Sequence, residues 1–441
     1  MLADPIAALA TPPGRSALAV VRLSGEGAFD VAARVVAGFR ADARLARLAA
    51  FRAADGSLID RGICIAFPAP HSYTGEDTVE LTCHGGLVAP ARLLEALYAA
   101  GARPAAPGEF TRRAVLNGRL DVVQAEAVGD LIDATAPAQA RAALAQLDGG
   151  LSRRIAALRA ALLEVQALLG YEIDFPDEDD GPVPRGRIEG ALADAAGQVD
   201  RLLATAPAGE RLREGALVVI AGRPNAGKSS LFNALLGTER ALVTEIPGTT
   251  RDAIEAETSF LGWPVRLVDT AGVRDTDERI ERMGVEVSRR WLASADLVLL
   301  CTEAGRGQVR TDLEIAAGLP VVLARTKADL SESATDSGIR VSTVTGQGLD
   351  TLRTAVAESV FGARVALGDL EIGLTRARHR NALAAAAEAL AEARPHLAPE
   401  GDAVLAAHHV RIAALALDEL VGAIDIEEVL ERIFASFCVG K

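Results

Sequence analysis

The chain has no block of like charge, no CxxC cysteine pair, no long apolar run and no surplus of positive charge. Each absence excludes something. Runs of five or six like charges mark disordered interaction tails, and none occurs. The four cysteines, Cys64, Cys83, Cys301 and Cys438, lie far apart with no pair at zinc-site spacing. A membrane helix needs roughly 18 to 20 consecutive apolar residues, and no stretch reaches that. The opening Met1-Leu2-Ala3-Asp4-Pro5 lacks the basic-then-apolar pattern of a secretory signal. The expectation is a soluble, cytoplasmic chain in a reducing compartment, with free thiols and no membrane association. A net charge of −14 argues against nonspecific wrapping of nucleic acid, because that affinity comes from many Lys/Arg–phosphate contacts. A local basic patch stays open. No internal repeat of solenoid period is present.

With 441 residues, the chain exceeds what one hydrophobic core holds, so two or three domains are expected. Residues 1–118 mix short β-type runs (17–23, 63–67, 78–82) with Gly/Pro turns, which reads as an α+β domain. Residues 119–212 are rich in Ala, Leu, Glu and Arg and read as helical, broken by an acidic, Pro-containing stretch at 174–184. From 213 to 367 apolar strands (217–221, 265–268, 297–301, 321–324) alternate with helices, the pattern of an α/β domain with a mainly parallel sheet. The helical pattern returns over 368–441. The simplest organisation is one helical domain, 119–212 plus 368–441, split by an inserted α/β domain.

Gly222-Arg223-Pro224-Asn225-Ala226-Gly227-Lys228-Ser229 matches GxxxxGK[ST], with a strand before it and a helix over 228–236 after it. The glycines let the loop curl so that successive N–H groups face phosphate oxygens, and the helix N-terminus adds positive dipole. Lys228 is placed to reach the β- and γ-phosphates and Ser229 to bind Mg²⁺. Four later motifs argue for GTP. Asp269-Thr270-Ala271-Gly272 ends a strand, where the Asp holds the Mg²⁺ hydration shell and the Gly turns its N–H toward the γ-phosphate. Thr249-Thr250 lies between, in Pro247-Gly248-Thr249-Thr250, and a Thr hydroxyl there completes the Mg²⁺ shell only while the γ-phosphate is present. Thr326-Lys327-Ala328-Asp329 supplies an Asp for the guanine N1–H and 2-amino group, a donor pair that adenine lacks. Thr326 stands where Asn is usual. Ser342-Thr343-Val344 falls where a loop contacts guanine O6 through backbone N–H. These motifs give a GTP-binding set of Asn225, Ala226, Gly227, Lys228, Ser229, Ser230, Pro247, Gly248, Thr249, Thr250, Asp269, Thr270, Ala271, Gly272, Thr326, Lys327, Asp329, Ser342, Thr343 and Val344, to which the family resemblance given below adds Thr244, Glu245 and Ile246.

Val273 follows the DxxG element where many GTPases carry a water-orienting Gln, and Val cannot orient water. Hydrolysis then needs another water-positioning group and another source of positive charge. Spacing does not choose among Asp277, Glu278 and Glu281, and a solvated helix face is the alternative for each. Asn225 reads either as a turn residue or as a side-chain carbonyl for a monovalent cation. Cys301, at a strand end, reads as core. Cys83-His84 reads as a structural turn. Cys438 sits in a Gly-containing tail, and a thiol role there needs a depressed pKa that no sequence shows.

Six stretches, Gly222–Ser230, Ile246–Asp252, Asp269–Gly272, residues 120–133, His84-Gly85-Gly86 and the terminal Phe437-Cys438-Val439-Gly440-Lys441, resemble the MnmE/TrmE family of tRNA uridine-modification GTPases over nearly the whole chain. The resemblance implies a fold of three parts: an α+β N-terminal folate-binding domain, a helical central domain and an inserted P-loop GTPase domain. It implies a homodimer, and a heterotetramer with a flavoprotein of the MnmG/GidA type that carries FAD. With that partner, the family adds a carboxymethylaminomethyl or aminomethyl group at C5 of the wobble uridine (U34) of certain tRNAs, using 5-formyl- or 5,10-methylene-tetrahydrofolate. It implies G domains that pair in a K⁺-dependent way, K⁺ standing in for an arginine finger. By motif, Asn225, Thr244, Ile246 and Thr249 match the K⁺ ligands, and Ser229 and Thr250 the Mg²⁺ ligands. Glu281 matches the water-orienting acid, so that the catalytic set is Glu281, Lys228 and Cys438, the last for modification rather than hydrolysis. Arg22, Glu80, Arg119 and Lys441 match the folate-binding positions. Arg119 stands where other members carry Lys, which keeps the charge and changes the fork geometry. The competing reading is a regulatory GTPase switch in ribosome assembly, without modification chemistry of its own.

Overall fold

The computed structural model describes residues 4–174, 184–237, 254–269, 291–305, 318–331, 337–362, 373–398, 400–422, 437 and 440. The chain divides into two compact units, residues 1–129 with 417–441, and residues 130–416.

The first unit holds strands β1 (Ile6–Leu9), β2 (Leu18–Ser24), β3 (Arg47–Arg52), β4 (Leu58–Phe67), β5 (Thr78–His84) and β6 (Arg103–Pro104), with helices α1 (Ala28–Val35), α2 (Val88–Ala99), α3 (Glu109–Leu116) and the start of α4 (Val122–Asp133). The sheet order is β3-β4-β5-β2-β1-β6. Every pairing is antiparallel except β1 with β6. Side chains alternate across a strand. Val21 and Leu23 of β2 therefore enter one core with Leu81, Leu93 and Leu97, under α1 and α2. Between them, Arg22 points the other way, toward Tyr73 and Phe110. The α+β reading of this region holds, and the three predicted strands are β2, β4 and β5. Cys83 is inside β5 rather than in a turn: it is buried in the α1/α2 core, and its neighbour His84 bonds Asp60. α4 starts where it does because Asp121 and Gln124 cap reciprocally, each side chain accepting from the other's backbone N–H at 2.8 and 3.0 Å.

The second unit begins with helices α5 (Pro137–Leu147), α6 (Gly150–Asp174), α7 (Arg185–Leu203) and α8 (Ala206–Glu214). A second six-stranded sheet follows: β7 (Ala216–Gly222), β8 (Ile254–Phe260), β9 (Trp263–Asp269), β10 (Leu297–Glu303), β11 (Val321–Thr326) and β12 (Ile339–Arg340). With it come α9 (Lys228–Leu236) and α10 (Leu349–Phe361), and the chain then enters α11 (Ala377–Ala393) and α12 (Ala403–Val421). Sheet order is β12-β11-β10-β7-β9-β8, parallel except for β8 against β9. The segment after the sheet returns to the helices before it. Asp130 Oδ1 accepts from Arg213 Nε at 2.9 Å and from Arg376 Nη2 at 2.7 Å, and Gln146 Nε2 donates to Thr375 Oγ1 at 3.2 Å. Residues on either side of the α/β segment are thus bonded directly to each other.

Glu109 is the most consequential acid of the first unit. Its side chain is 4% exposed, and burial alone would raise its pKa. Hydrogen bonds from Arg103, the Ala106 N–H and Arg113 outweigh that and bring it down to about 2. A depressed carboxylate stabilises the fold above its ordinary pKa of 4.5 and loses that contribution as pH falls toward 2. The full contribution is about 3 kcal/mol. Glu109→Gln should therefore lower hydrogen-exchange protection of β1 and β2 at pH 7 by about that amount. It should also flatten the fall in protection between pH 4.5 and 2; an unchanged acid profile would refute the assignment.

Candidate functional site

In the second sheet the chain runs from β7 outward to β8 and back to β9 on one side, then crosses to β10 on the other. The crevice of an open parallel sheet lies at that reversal, beyond the carboxyl ends of the strands. Gly222 ends β7 there, and Lys228 opens α9 six residues later.

The loop between them is shaped by its glycines and by its neighbours. Gly222 has φ +143°, and a Cβ on it would lie 2.3 Å from the Cys301 carbonyl oxygen, so no side chain fits. Gly227, at φ 83°, caps α9, and Asn225 takes a left-handed φ of 66°, a conformation that Asn tolerates better than most residues. The Lys228 ammonium folds onto the loop, donating to Gly222 O at 2.8 Å and Arg223 O at 2.9 Å. Burial lowers its pKa, and the nearby Cys301 and Asp269 oppose that. A buried ammonium bonded to two neutral carbonyls is well suited to receive an anion. Ser229 and Ser230 are exposed on the first turn of α9. Asp269, 1% exposed, ends β9 opposite Ile220 of β7.

On the far side of β10, Thr326 ends β11 and is buried. Its hydroxyl donates to Ala226 O at 2.7 Å, with Thr302 O at 3.2 Å. Lys327, in a left-handed conformation at φ 56°, pairs with Glu303. Asp329 is exposed in the turn that follows. In the loop after β12, Ser342 Oγ accepts from the Val344 and Thr345 N–H groups at 3.3 and 3.2 Å. The Ser342 N–H bonds Gln347 O, and the Gly346 N–H bonds Ser342 O. The Thr343 N–H has no acceptor among the described residues, which leaves it for a ligand carbonyl.

The structure thus brings Asn225, Ala226, Gly227, Lys228, Ser229, Ser230 and Asp269 into one cluster at the carboxyl ends of β7 and β9. Thr326 lies beneath it. Lys327, Asp329, Ser342, Thr343 and Val344 follow on the next strand ends. Thr244, Glu245, Ile246, Pro247, Gly248, Thr249, Thr250, Thr270, Ala271, Gly272, Glu281 and Cys438 lie outside the described residues, as does Lys441. Sequence reasoning passed over Thr302 and Glu303. Their only sequence signal is their place at the end of an apolar strand.

In the first unit, Arg22 and Glu80 sit directly opposite each other on β2 and β5 and form an ion pair at 2.8 Å. The Arg22 guanidinium lies 5.3 Å from the Tyr73 ring centroid and 5.7 Å from that of Phe110. Neither aromatic was expected there. Arg119 is exposed, its stem against Gly75. The chain end returns to this unit: Phe437 packs with Val115, Val122 and Ala125, and a Cβ on Gly440 would sit 2.2 Å from Leu9 O. Cys301 is fully buried and its thiol is pushed up to about 12 by burial, as a core residue requires. Burial, and then the Asp60 charge, raise Cys83 to about 11, so it is no nucleophile. Among the described residues no cluster of His, Cys, Asp and Glu is arranged to hold a metal, and no helix is long and apolar enough to cross a membrane.

Two family models match the chain: "GTP-binding protein TrmE N-terminus" over residues 5–119 and "MnmE helical domain" over residues 122–438. Relatives named tRNA modification GTPase MnmE align over almost the full length of both chains. The Akkermansia muciniphila protein is 41% identical over 99% of this chain and 98% of its own. That of Sodalis glossinidius is 42% identical over 99% of each. That of Phenylobacterium zucineum is 43% identical over 100% of each. Among solved structures, the G domain of the T. maritima FeoB iron transporter covers 33% of this chain and 98% of its own, at 29% identity and a TM-score of 0.26. By its two family models and its full-length relatives, this chain belongs to the MnmE family of tRNA-modification GTPases.

Proposed function

We propose that this chain is a K⁺-activated GTPase that works with a flavoprotein partner to modify C5 of the wobble uridine of tRNA. The observation that carries the reading is the cradle of Lys228, Asp269 and Thr326 at three parallel strand ends, in a chain matched end to end by tRNA-modification GTPases. The α/β segment acts as a nucleotide-binding domain inserted into the helical one. Lys228 and the loop N–H groups bind the phosphates. Asp329 takes the guanine N1–H and 2-amino group, and the Thr343 N–H takes O6.

The exposed oxygens of Ser229 and Asn225 suit hard cations, which seek oxygen ligands. Ser229 and Thr250 would hold Mg²⁺; Asn225, Thr244, Ile246 and Thr249 would hold K⁺. Bound there, the two ions would add positive charge beside the phosphate oxygens to that which Lys228 supplies. Glu281 orients the attacking water in place of the Gln that Val273 replaces. In the N-terminal unit, Arg22, Glu80, Arg119 and Lys441 bind the tetrahydrofolate donor, with Tyr73 and Phe110 beside Arg22 as flat apolar surfaces. The thiol of Cys438 serves modification and not hydrolysis. A homodimer, and a heterotetramer with an FAD-carrying MnmG/GidA-type protein, complete the assembly.

At equal ionic strength, GTP turnover in KCl should exceed that in NaCl at least about tenfold, because the smaller ion cannot meet the same oxygens at its preferred distances. Equal rates would sink the cation assignment. Glu281→Ala should cut kcat by about 100-fold, the usual size of a lost general base or water-orienting group, with GTP affinity within about threefold of the parent. A normal turnover number with weakened binding would reject the role. Cys438→Ser should leave GTP hydrolysis normal while mass analysis finds the wobble uridine unmodified. Retained modification would remove the thiol from the chemistry, and unaltered tRNA in cells lacking the chain would favour the ribosome-assembly switch.

A further inference from the structure

Position 326 carries Thr where a guanine-binding motif usually carries Asn, and the structure shows what that hydroxyl does. Thr326 is 2% exposed and lies under the phosphate loop, with Gly227 above it. Its Oγ1 donates to Ala226 O at 2.7 Å, and Thr302 O stands at 3.2 Å. Both neighbours are acceptors, and a Thr hydroxyl owns one hydrogen. That hydrogen is committed to the loop. A primary amide has two, so it can hold a carbonyl and still face a ligand; a hydroxyl in this place cannot.

The groups left for the base divide accordingly. Asp329 is an exposed carboxylate, an acceptor for N1–H and the 2-amino group. The Thr343 N–H is the backbone donor of the 342–347 turn without an acceptor among the described residues, matching O6. Both act on the six-membered ring. In an anti nucleotide the N7/C8 edge of guanine faces the 5′-phosphate, and hence the side on which the loop and Thr326 lie. The neighbouring Lys327 ammonium is engaged by Glu303.

We infer that Thr326 is a positioning residue: it fixes the phosphate loop through Ala226, and this chain reads guanine by its six-membered ring while leaving N7 unpartnered. The inference rests on the guanine-nucleotide reading of the site. Its signature is tolerance of nucleotides altered at the imidazole edge.

The test is competition binding to the full chain with GDP, 7-deaza-GDP, which lacks N7, and inosine diphosphate, which lacks the 2-amino group. The parent should bind 7-deaza-GDP within about twofold of GDP and inosine diphosphate about tenfold or more weakly. Thr326→Val keeps the volume and strands the Ala226 carbonyl. It should weaken GDP and 7-deaza-GDP by the same factor, about tenfold, and Thr326→Ser should restore both. A parent that disfavours 7-deaza-GDP by fivefold or more, or a Val variant that changes the GDP to 7-deaza-GDP ratio, would overturn the inference. Absence of GDP binding to the parent would instead overturn the guanine-nucleotide reading, so the two failures are distinct.

Discussion

A phosphate loop can aim its N–H groups inward only if its carbonyls are bonded elsewhere, and that constraint organises the second unit. Three carbonyls of the loop are engaged by side chains. Lys228 holds those of Gly222 and Arg223, and Thr326 holds that of Ala226. Gly222 presses so closely on the Cys301 carbonyl that β7 and β10 must meet there without a side chain between them. The helix behind the loop is fixed at its far end as well. Arg353 of α10, 8% exposed, reaches the last carbonyls of α9 at Ala234 and Leu235, at 3.3 and 3.4 Å. With both ends of α9 held, its N-terminal dipole keeps one direction, and the electrostatics of the site are set before any nucleotide arrives.

The first unit meets a similar demand with charge. Arg113 is 1% exposed and would be costly alone, but Glu76 and Glu109 pair with it at 3.0 and 2.9 Å. Its second guanidinium nitrogen also reaches the Asp4 carbonyl, so the network gathers the start of the chain, the 72–78 segment and α3. Ser24, Thr74 and Thr78 join it through hydroxyls at 2.7 to 3.2 Å. The outcome is a rigid polar floor beside Arg22, Tyr73 and Phe110. Phe437 closes over Gly129, where a Cβ would stand 3.1 Å from the ring. A side chain at 129 would require that ring to give by a few tenths of an ångström, which ties the terminal motif to a position just over 300 residues earlier.

The parts of this protein that were legible in its sequence are those governed by neighbours along the chain. The strand, glycine loop and helix around Lys228 follow from local periodicity and turn chemistry, and the predicted strands of both sheets recur within a few residues. The antiparallel strand β8 carries a signal of another kind: Glu255 and Glu257 alternate with the buried Ala256 and Thr258, the period of a strand with one covered face rather than an apolar run. Register is equally invisible. Arg22 and Glu80 are 58 residues apart, and nothing local says that they face each other. The role of Thr326 was the least legible of all. The motif marks a departure from Asn, but that the hydroxyl serves a carbonyl of the phosphate loop, 100 residues earlier, is a fact of packing.

The charge of the chain constrains how it can handle the substrate we propose. At −14, the chain as a whole offers a polyanion no net attraction, and several of its arginines are paired with its own carboxylates. Arg376 pairs with Asp130, Arg380 with Glu210, Arg211 with Asp296 and Arg113 with two glutamates. Affinity for a polyanion grows with each phosphate neutralised, and an arginine already paired with a carboxylate adds less to it. Contacts to particular unstacked bases, or positive charge on a second protein, would supply what the net charge does not. The second route gives a partner a reason beyond redox chemistry. A flavoprotein that carries the basic surface would hold the tRNA, leaving the acidic chain to supply the nucleotide-driven movement. On that division of labour, an acidic net charge is compatible with a tRNA substrate, the positive surface lying on the partner we propose.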